Sequence, residues 1–327
     1  MARKELLSVI VPVYHEEDNI PVFLERMRPV LRATKCDYEI LFCMDPGTDR
    51  TEDVILEARA KDKRIKLLKF SRRFGQPAAT IGGIHYCTGD AAVIIDVDLQ
   101  DPPELIIKMV EHWREGYHMV YAQRTSRQGE TLIKRIVAHL GYAVINRISD
   151  VDIPRNTGDF RLISRTVIEE LRKLNETHGF LRGLAGFVGF SQIAVPYERD
   201  ARLAGQSKYN RWLGSLTIGL NGVISFSRYP LQLISLAGLA ISFVSFLVGI
   251  TYIVLALADV EIIWGNPTLV IIVSLLAGVQ LFSLGIMGEY VGRIYEEVKN
   301  RPMFIVQDAH GFGPPTGARQ TRGSGSR

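Results

Sequence analysis

Residues 231–257 and 267–287 carry no Asp, Glu, Lys or Arg, and each run reaches the roughly 20 residues a helix needs to cross a hydrocarbon core. Two membrane helices, at 231–257 and 267–288 with a short extracytoplasmic loop at 258–266, are therefore expected behind a longer part that folds in water. Gly238, Gly249, Gly278 and Gly285 within the runs suit close helix contact in lipid. Arg228 precedes the first run and Arg293, Lys299 and Arg301 follow the second, whereas the connector Asp259-Val260-Glu261 has no basic residue. Positive charge collects on the cytoplasmic side, so both termini are expected there. The alternative is a pair of buried helices in a soluble protein.

Composition excludes several classes. A net charge of +4 over 327 residues, much of it from Arg319, Arg322 and Arg327, gives no basis for nucleic-acid binding. Cys36, Cys43 and Cys87 are odd in number and lack CxxC spacing, so reduced thiols are expected rather than a disulfide framework or zinc site. Residues 1–7 contain Arg3, Lys4 and Glu5 and run straight into an apolar segment, so no signal peptide is expected and the amino-terminal half should stay cytoplasmic.

Ahead of the apolar runs, strands are predicted at 8–14, 38–44, 65–70, 91–97 and 119–123, alternating with helices at 15–32, 51–61, 78–87 and 103–114. This order predicts an α/β fold, a mostly parallel sheet with helices on both faces, whose ligands meet the carboxyl ends of the strands. Tyr14, Asp45 and Asp98 all fall at such ends. A loop is predicted at 126–130, a helix at 131–149, a strand at 156–162, a helix through Leu174 and a strand near 192–195. The domain reading is 1–210 for the catalytic α/β domain, 211–230 for an interfacial amphipathic helix, 289–307 for a cytoplasmic juxtamembrane segment and 308–327 for a disordered tail.

The motif richest in chemistry is Asp96-Val97-Asp98-Leu99-Gln100-Asp101-Pro102-Pro103. Two carboxylates two residues apart on an extended strand end point to one side, and hard divalent cations prefer oxygen ligands. Taken alone, such a pair is more often just a solvated strand end. Here Tyr14-His15-Glu16-Glu17 and Asp45 end two neighbouring predicted strands.

Val9 to Glu17, Asp96 to Glu104, Asn156-Thr157-Gly158-Asp159-Phe160-Arg161-Leu162 and Gly205-Gln206-Ser207-Lys208-Tyr209 together resemble the polyprenyl-phosphate glycosyltransferases of glycosyltransferase family 2. The resemblance covers about residues 5–307, and Gly288 to Tyr295 resembles the two-span bacterial branch. It implies a GT-A fold in which Pro12, Tyr14 and Glu16 border the base, and Asp45 the base or ribose. Asp96, Asp98 and Gln100 would hold Mg²⁺ or Mn²⁺ and the diphosphate. One departure stands out: the family usually has Asp-Gly-Ser after the second strand, and here Asp45-Pro46-Gly47 puts a proline without a backbone donor in that turn. His15 replaces the more usual Asn, and a lone loop histidine is more often a capping or solvated group than a catalyst.

The resemblance also matches Arg124, Arg161, Arg202 and Lys208 to basic positions on the acceptor side, with Arg127 and Arg135 as nearby candidates. Arginine suits bidentate phosphate contacts. Asp159 is the residue offered as base in the family, yet a phosphate monoester with a second pKa near 6 is mostly dianionic at neutral pH. Base and orienter both stay open. The implied reaction is inverting, metal-dependent transfer of a sugar from a nucleotide sugar to polyprenyl phosphate at the inner face of the cell membrane. UDP-glucose and undecaprenyl phosphate are the first expectation and GDP-mannose the second, in a homo-oligomer. Two other readings are a processive polysaccharide synthase and a membrane-anchored nucleotide-sugar sensor. The synthase motif Gln-x-x-Arg-Trp is matched only by Lys208-Tyr209-Asn210-Arg211-Trp212, with Lys at the Gln position.

Overall fold

The computed structural model describes residues 4–125, 157–174, 181–198, 229–258 and 266–312. They fall into two compact units, a sheet unit ending with residues 302–312 and a helical unit that runs to residue 301.

The sheet unit opens with β1 (Leu6–Val13), α1 (Asn19–Ala33), β2 (Asp37–Met44), α2 (Thr51–Lys61), β3 (Ile65–Phe70) and α3 (Gln76–Tyr86). It continues through β4 (Ala91–Ile94), α4 (Leu105–Arg114), β5 (Met119–Arg124), β6 (Thr157–Ser164), α5 (Arg165–Lys173), α6 (Leu181–Val188) and β7 (Gln192–Tyr197). The eight strands, completed by β8 (Val306–His310), lie in the order β7-β5-β6-β4-β1-β2-β3-β8. Only β6 and β8 run against the rest, so the expected mostly parallel sheet is what forms.

Alternation along the strands builds two apolar faces. Leu7, Val9, Val11 and Val13 of β1 join Phe23 and Met27 of α1 and Met109 of α4 in one core. The intervening Ile10 faces α3, which approaches so closely that a Cβ on Gly83 would clash with the Ile10 Cγ2 and lie 2.9 Å from Cys43 Sγ. Helices therefore cover both faces, as read from the strand–helix alternation.

Among the boundaries that differ from the sequence reading, three bear on the cleft or the sheet edge. α1 starts at Asn19 rather than His15, because His15 adopts a left-handed backbone (φ 57°) that interrupts any helix there. β4 stops at Ile94, so the Asp-x-Asp pair stands on a turn beyond the strand rather than on its extended end. The tail expected to be disordered from 308 begins inside β8, which pairs antiparallel with β3 and covers that edge of the sheet. Phe304 packs against Phe70, and Phe312 against Tyr86, on either side of the strand.

The helical unit contains α7 (Tyr229–Leu257) and α8 (Asn266–Val298), both long and apolar enough to cross a membrane. α7 begins inside the segment read as an interfacial helix at 211–230, and α8 runs well past residue 288 into the segment read as juxtamembrane. The remainder of the interfacial segment, the predicted helix at 131–149 and the connector at 259–265 lie outside the described residues.

Candidate active site

A cleft of about 250 Å³ opens at the carboxyl ends of the parallel strands, lined by Pro12, Val13, Tyr14, Glu16, Asp45, Gln76, Ala79, Asp96, Val97 and Asp98. Every nucleotide-side residue expected from the sequence is in that lining, as are two of the three expected metal ligands. Gln100 is not: its side chain is buried, while its backbone N–H donates to Asp98 Oδ1 at 3.2 Å. Both carboxylates lie just beyond β4, and the residue after them, Leu99, is in the left-handed region at φ 55°. A non-glycine residue held there stores strain, and such strain collects at binding sites.

Four loops, those after β1, β2, β3 and β4, are tied together around the cleft. The Asp45 carboxylate, almost wholly buried, accepts from the N–H groups of Phe74 (3.0 Å) and Gly75 (2.8 Å). It thereby anchors the β3–α3 loop, in which Gly75 takes a φ of 91° that suits glycine. From the start of α3, Gln76 Nε2 donates to Asp96 Oδ1 at 2.8 Å. The Arg73 guanidinium lies 4.2 Å from the centre of the Tyr14 ring. On the β2 side, Glu16 N–H donates to Thr51 Oγ1, whose own hydroxyl donates to Asp49 Oδ2 at 2.6 Å. Burial would raise the Asp49 carboxyl, but the bond from Thr51 and the nearby His15 hold it below its ordinary value. His15 packs over Gly47, where a Cβ would come within 3.2 Å of the imidazole. The two departures from the family pattern, His15 and Pro46-Gly47, thus meet in space.

Arg124, Asp159 and Arg161 stand on β5 and β6 at the same end of the sheet, outside the cleft lining. Arg124 Nε donates to the Tyr197 hydroxyl at 3.1 Å and its Nη2 lies 3.7 Å from Asp101 Oδ1. Burial works against the charged guanidinium, yet the bond to Tyr197 and the charge of Asp101 raise its pKa. Arg161 is buried and donates from Nη2 to the Gly158 carbonyl at 3.0 Å. The other expected acceptor cations, Arg127, Arg135, Arg202 and Lys208, lie outside the described residues. Gln76, Asp101 and Tyr197 are additions from the structure. Asp101 sat within a quoted motif, but no spacing in the sequence marks Gln76 or Tyr197.

The family model for glycosyl transferase family 2 matches residues 8–172, just over half of the chain. The chain belongs to glycosyltransferase family 2. Relatives extend the match over nearly the whole length. The Bacillus subtilis protein named uncharacterized glycosyltransferase YkcC is 44% identical over 312 residues, 95% of this chain and 96% of its own. The SfII prophage-derived bactoprenol glucosyl transferase of Shigella flexneri is 40% identical over 308 residues, 94% of this chain and 99% of its own. Among solved structures, mannosyltransferase PcManGT from Pyrobaculum calidifontis, in complex with GDP-Man and Mn²⁺, is 16% identical and has a TM-score of 0.45, over 91% of this chain and 88% of its own.

As a family 2 glycosyltransferase, the chain is an enzyme whose GT-A sheet unit carries the cleft and whose two apolar helices follow it. The family match begins at β1 and ends within α5, so it spans every element that lines the cleft.

Proposed function

We propose that this glycosyltransferase moves glucose from UDP-glucose to the phosphate of undecaprenyl phosphate, at the cytoplasmic face of the cell membrane, with inversion at the anomeric carbon. The observation that carries the reading is the placement of Asp96 and Asp98 in one cleft with Tyr14 and Asp45. The near full-length similarity to a bactoprenol glucosyl transferase supports glucose and a polyprenyl acceptor.

The donor set fits a hard cation. Among the described residues no group of three or more His, Cys, Asp or Glu side chains could hold a metal by itself. Two carboxylates completed by diphosphate oxygens and water are the usual arrangement for Mg²⁺ at a nucleotide. Asp96 and Asp98 would hold Mg²⁺ or Mn²⁺, which when bound stabilises charge on the departing diphosphate. Gln76, itself in the cleft lining, holds the Asp96 carboxylate, and Asp45 fixes the loop that leads into Gln76. Tyr14 and Glu16 border the nucleotide. Arg124, with Arg135, Arg202 and Lys208, draws the acceptor phosphate beside the donor. An acceptor oxygen then forms its bond to the anomeric carbon as the bond from that carbon to the diphosphate breaks. Because the acceptor is already mostly dianionic at neutral pH, the step needs little proton removal. Asp159 is read as orienting the acceptor or Arg161.

α7 and α8 would keep the enzyme in the bilayer that holds its acceptor, with both chain ends cytoplasmic. Purified full-length protein incubated with undecaprenyl phosphate and a panel of radiolabelled nucleotide sugars tests the substrate. Lipid-extractable label from UDP-glucose above all other donors is expected; a preference for GDP-mannose would overturn the donor assignment.

A further inference from the structure

Tyr197 closes β7 in register with Arg124 at the end of β5. Its hydroxyl donates to Asp101 Oδ1, three residues beyond Asp98, and accepts from Arg124 Nε at 3.1 Å. Tyr197 and Asp101 are both buried. The Tyr197 carbonyl in turn accepts from the backbone N–H (2.9 Å) and the hydroxyl (3.1 Å) of Thr125, so the backbone at this point is held as firmly as the side chain. On the β6 side, a Cβ on Gly158 would come within 3.1 Å of Arg124 Nη2. The glycine therefore leaves the space in which the guanidinium lies, next in sequence to Asp159. Burial and the bond to Asp101 push the Tyr197 phenol up to about 12, so it keeps its proton at neutral pH and can donate and accept at once.

We propose that Tyr197 is a positioning residue for the acceptor phosphate: its hydroxyl, set between Asp101 and Arg124, holds the guanidinium over Gly158 and prevents a closed ion pair with Asp101. The inference rests on the reading above in which Arg124 meets the acceptor. Its physical basis is the separation already present. Arg124 Nη2 stands 3.7 Å from Asp101 Oδ1, beyond a direct hydrogen bond, with the phenol bonded to both groups. In a half-buried site, a carboxylate and a guanidinium without that spacer attract strongly enough to close. The cation would then be neutralised by the donor-side turn instead of facing the lipid phosphate.

The test uses full-length protein in detergent. Tyr197→Phe keeps the ring and removes the hydroxyl. It should raise KM for undecaprenyl phosphate about tenfold, the scale of one hydrogen bond to a charged group, with UDP affinity and Tm close to wild type. Arg124→Lys should also raise that KM, and adding Tyr197→Phe to it should cost less than about twofold more, because coupled residues are not additive. An unchanged acceptor KM in Tyr197→Phe, or two effects that multiply in full, would overturn the proposal. If Arg124→Lys leaves the acceptor KM unchanged, the assignment of Arg124 itself falls, and the inference with it. Should Tyr197→Phe fail to fold, 2,3,5,6-tetrafluorotyrosine at position 197 retains ring and hydroxyl but lowers the phenol pKa by several units, which brings a phenol raised to about 12 into the assay range. Its acceptor KM should climb toward alkaline pH while wild type stays flat, since a phenolate binds Arg124 and cannot donate to Asp101. Identical pH profiles would contradict the role.

Discussion

Asp159 shows how a single residue can be found from the sequence while its task is not. It stands half-exposed on β6, between Gly158, over which Arg124 lies, and buried Arg161 two residues on. If it orients groups rather than removing a proton, Asp159→Asn should lower kcat by a similar factor from pH 5.5 to pH 8, across the acceptor's second pKa of about 6. A deficit that disappears at pH 8 would instead make it a general base. The same limit applies elsewhere in the site. Tyr14, Asp45, Asp96 and Asp98 were legible because each ends or follows a strongly apolar segment. Gln76 and Tyr197 were not, because their meaning comes from partners 20 and 96 residues away in the chain. Asp45 was found, but its two backbone bonds to the β3–α3 loop could not be read from the turn that follows it.

At the scale of elements, β3 was read to the residue, because Ile65, Leu67, Leu68 and Phe70 are apolar and buried although Lys66 and Lys69 stand between them. β4 was read three residues too long. Val93-Ile94-Ile95-Asp96-Val97 keeps the look of a strand, but its ladder with β1 and β6 ends at Ile94, and the carboxylates are left outside it. β8 escaped because Val306-Gln307-Asp308-Ala309-His310 has little apolar content, and its pairing is set by the open edge of β3. α6 escaped because Gly183 and Gly186 dilute its helical signal. The opposite end of the sheet from the cleft is locked by charge instead. Glu39 of β2 is buried and accepts from Lys66 Nζ of β3 (2.5 Å), Ser8 Oγ of β1 (2.5 Å) and the N–H of Thr88 (2.7 Å). Burial would raise this carboxyl, but these donors outweigh it and hold it below its ordinary value. A depressed carboxyl stabilises the fold above its unfolded pKa and loses that contribution as pH falls toward the folded value. Glu39→Gln should therefore cost about 3 kcal/mol at pH 7, as for a broken buried pair, and its deficit against wild type should shrink below about pH 4.5, near the ordinary value. Denaturant unfolding of both proteins across pH reads this; a deficit constant with pH would remove the ion pair from the account.

For the whole molecule, a sheet unit that carries the cleft and a helical unit long and apolar enough for the bilayer are parts of one chain, and residues 302–312 return to the sheet unit after α8. The two apolar helices were legible from the two uncharged runs alone, whereas the return of the chain to the sheet was not, because no local pattern marks it. In the proposed reaction the cleft carboxylates and the lipid phosphate are two halves of one step, and the most direct measurement reads both together. Purified protein is given radiolabelled UDP-glucose and undecaprenyl phosphate, with excess Mg²⁺ or excess EDTA, alongside Asp98→Ala. Label entering the lipid extract only for wild type with metal, with Asp98→Ala folded but slowed at least about a hundredfold, is the predicted result. Full transfer in EDTA, or near wild-type transfer by Asp98→Ala, would contradict it.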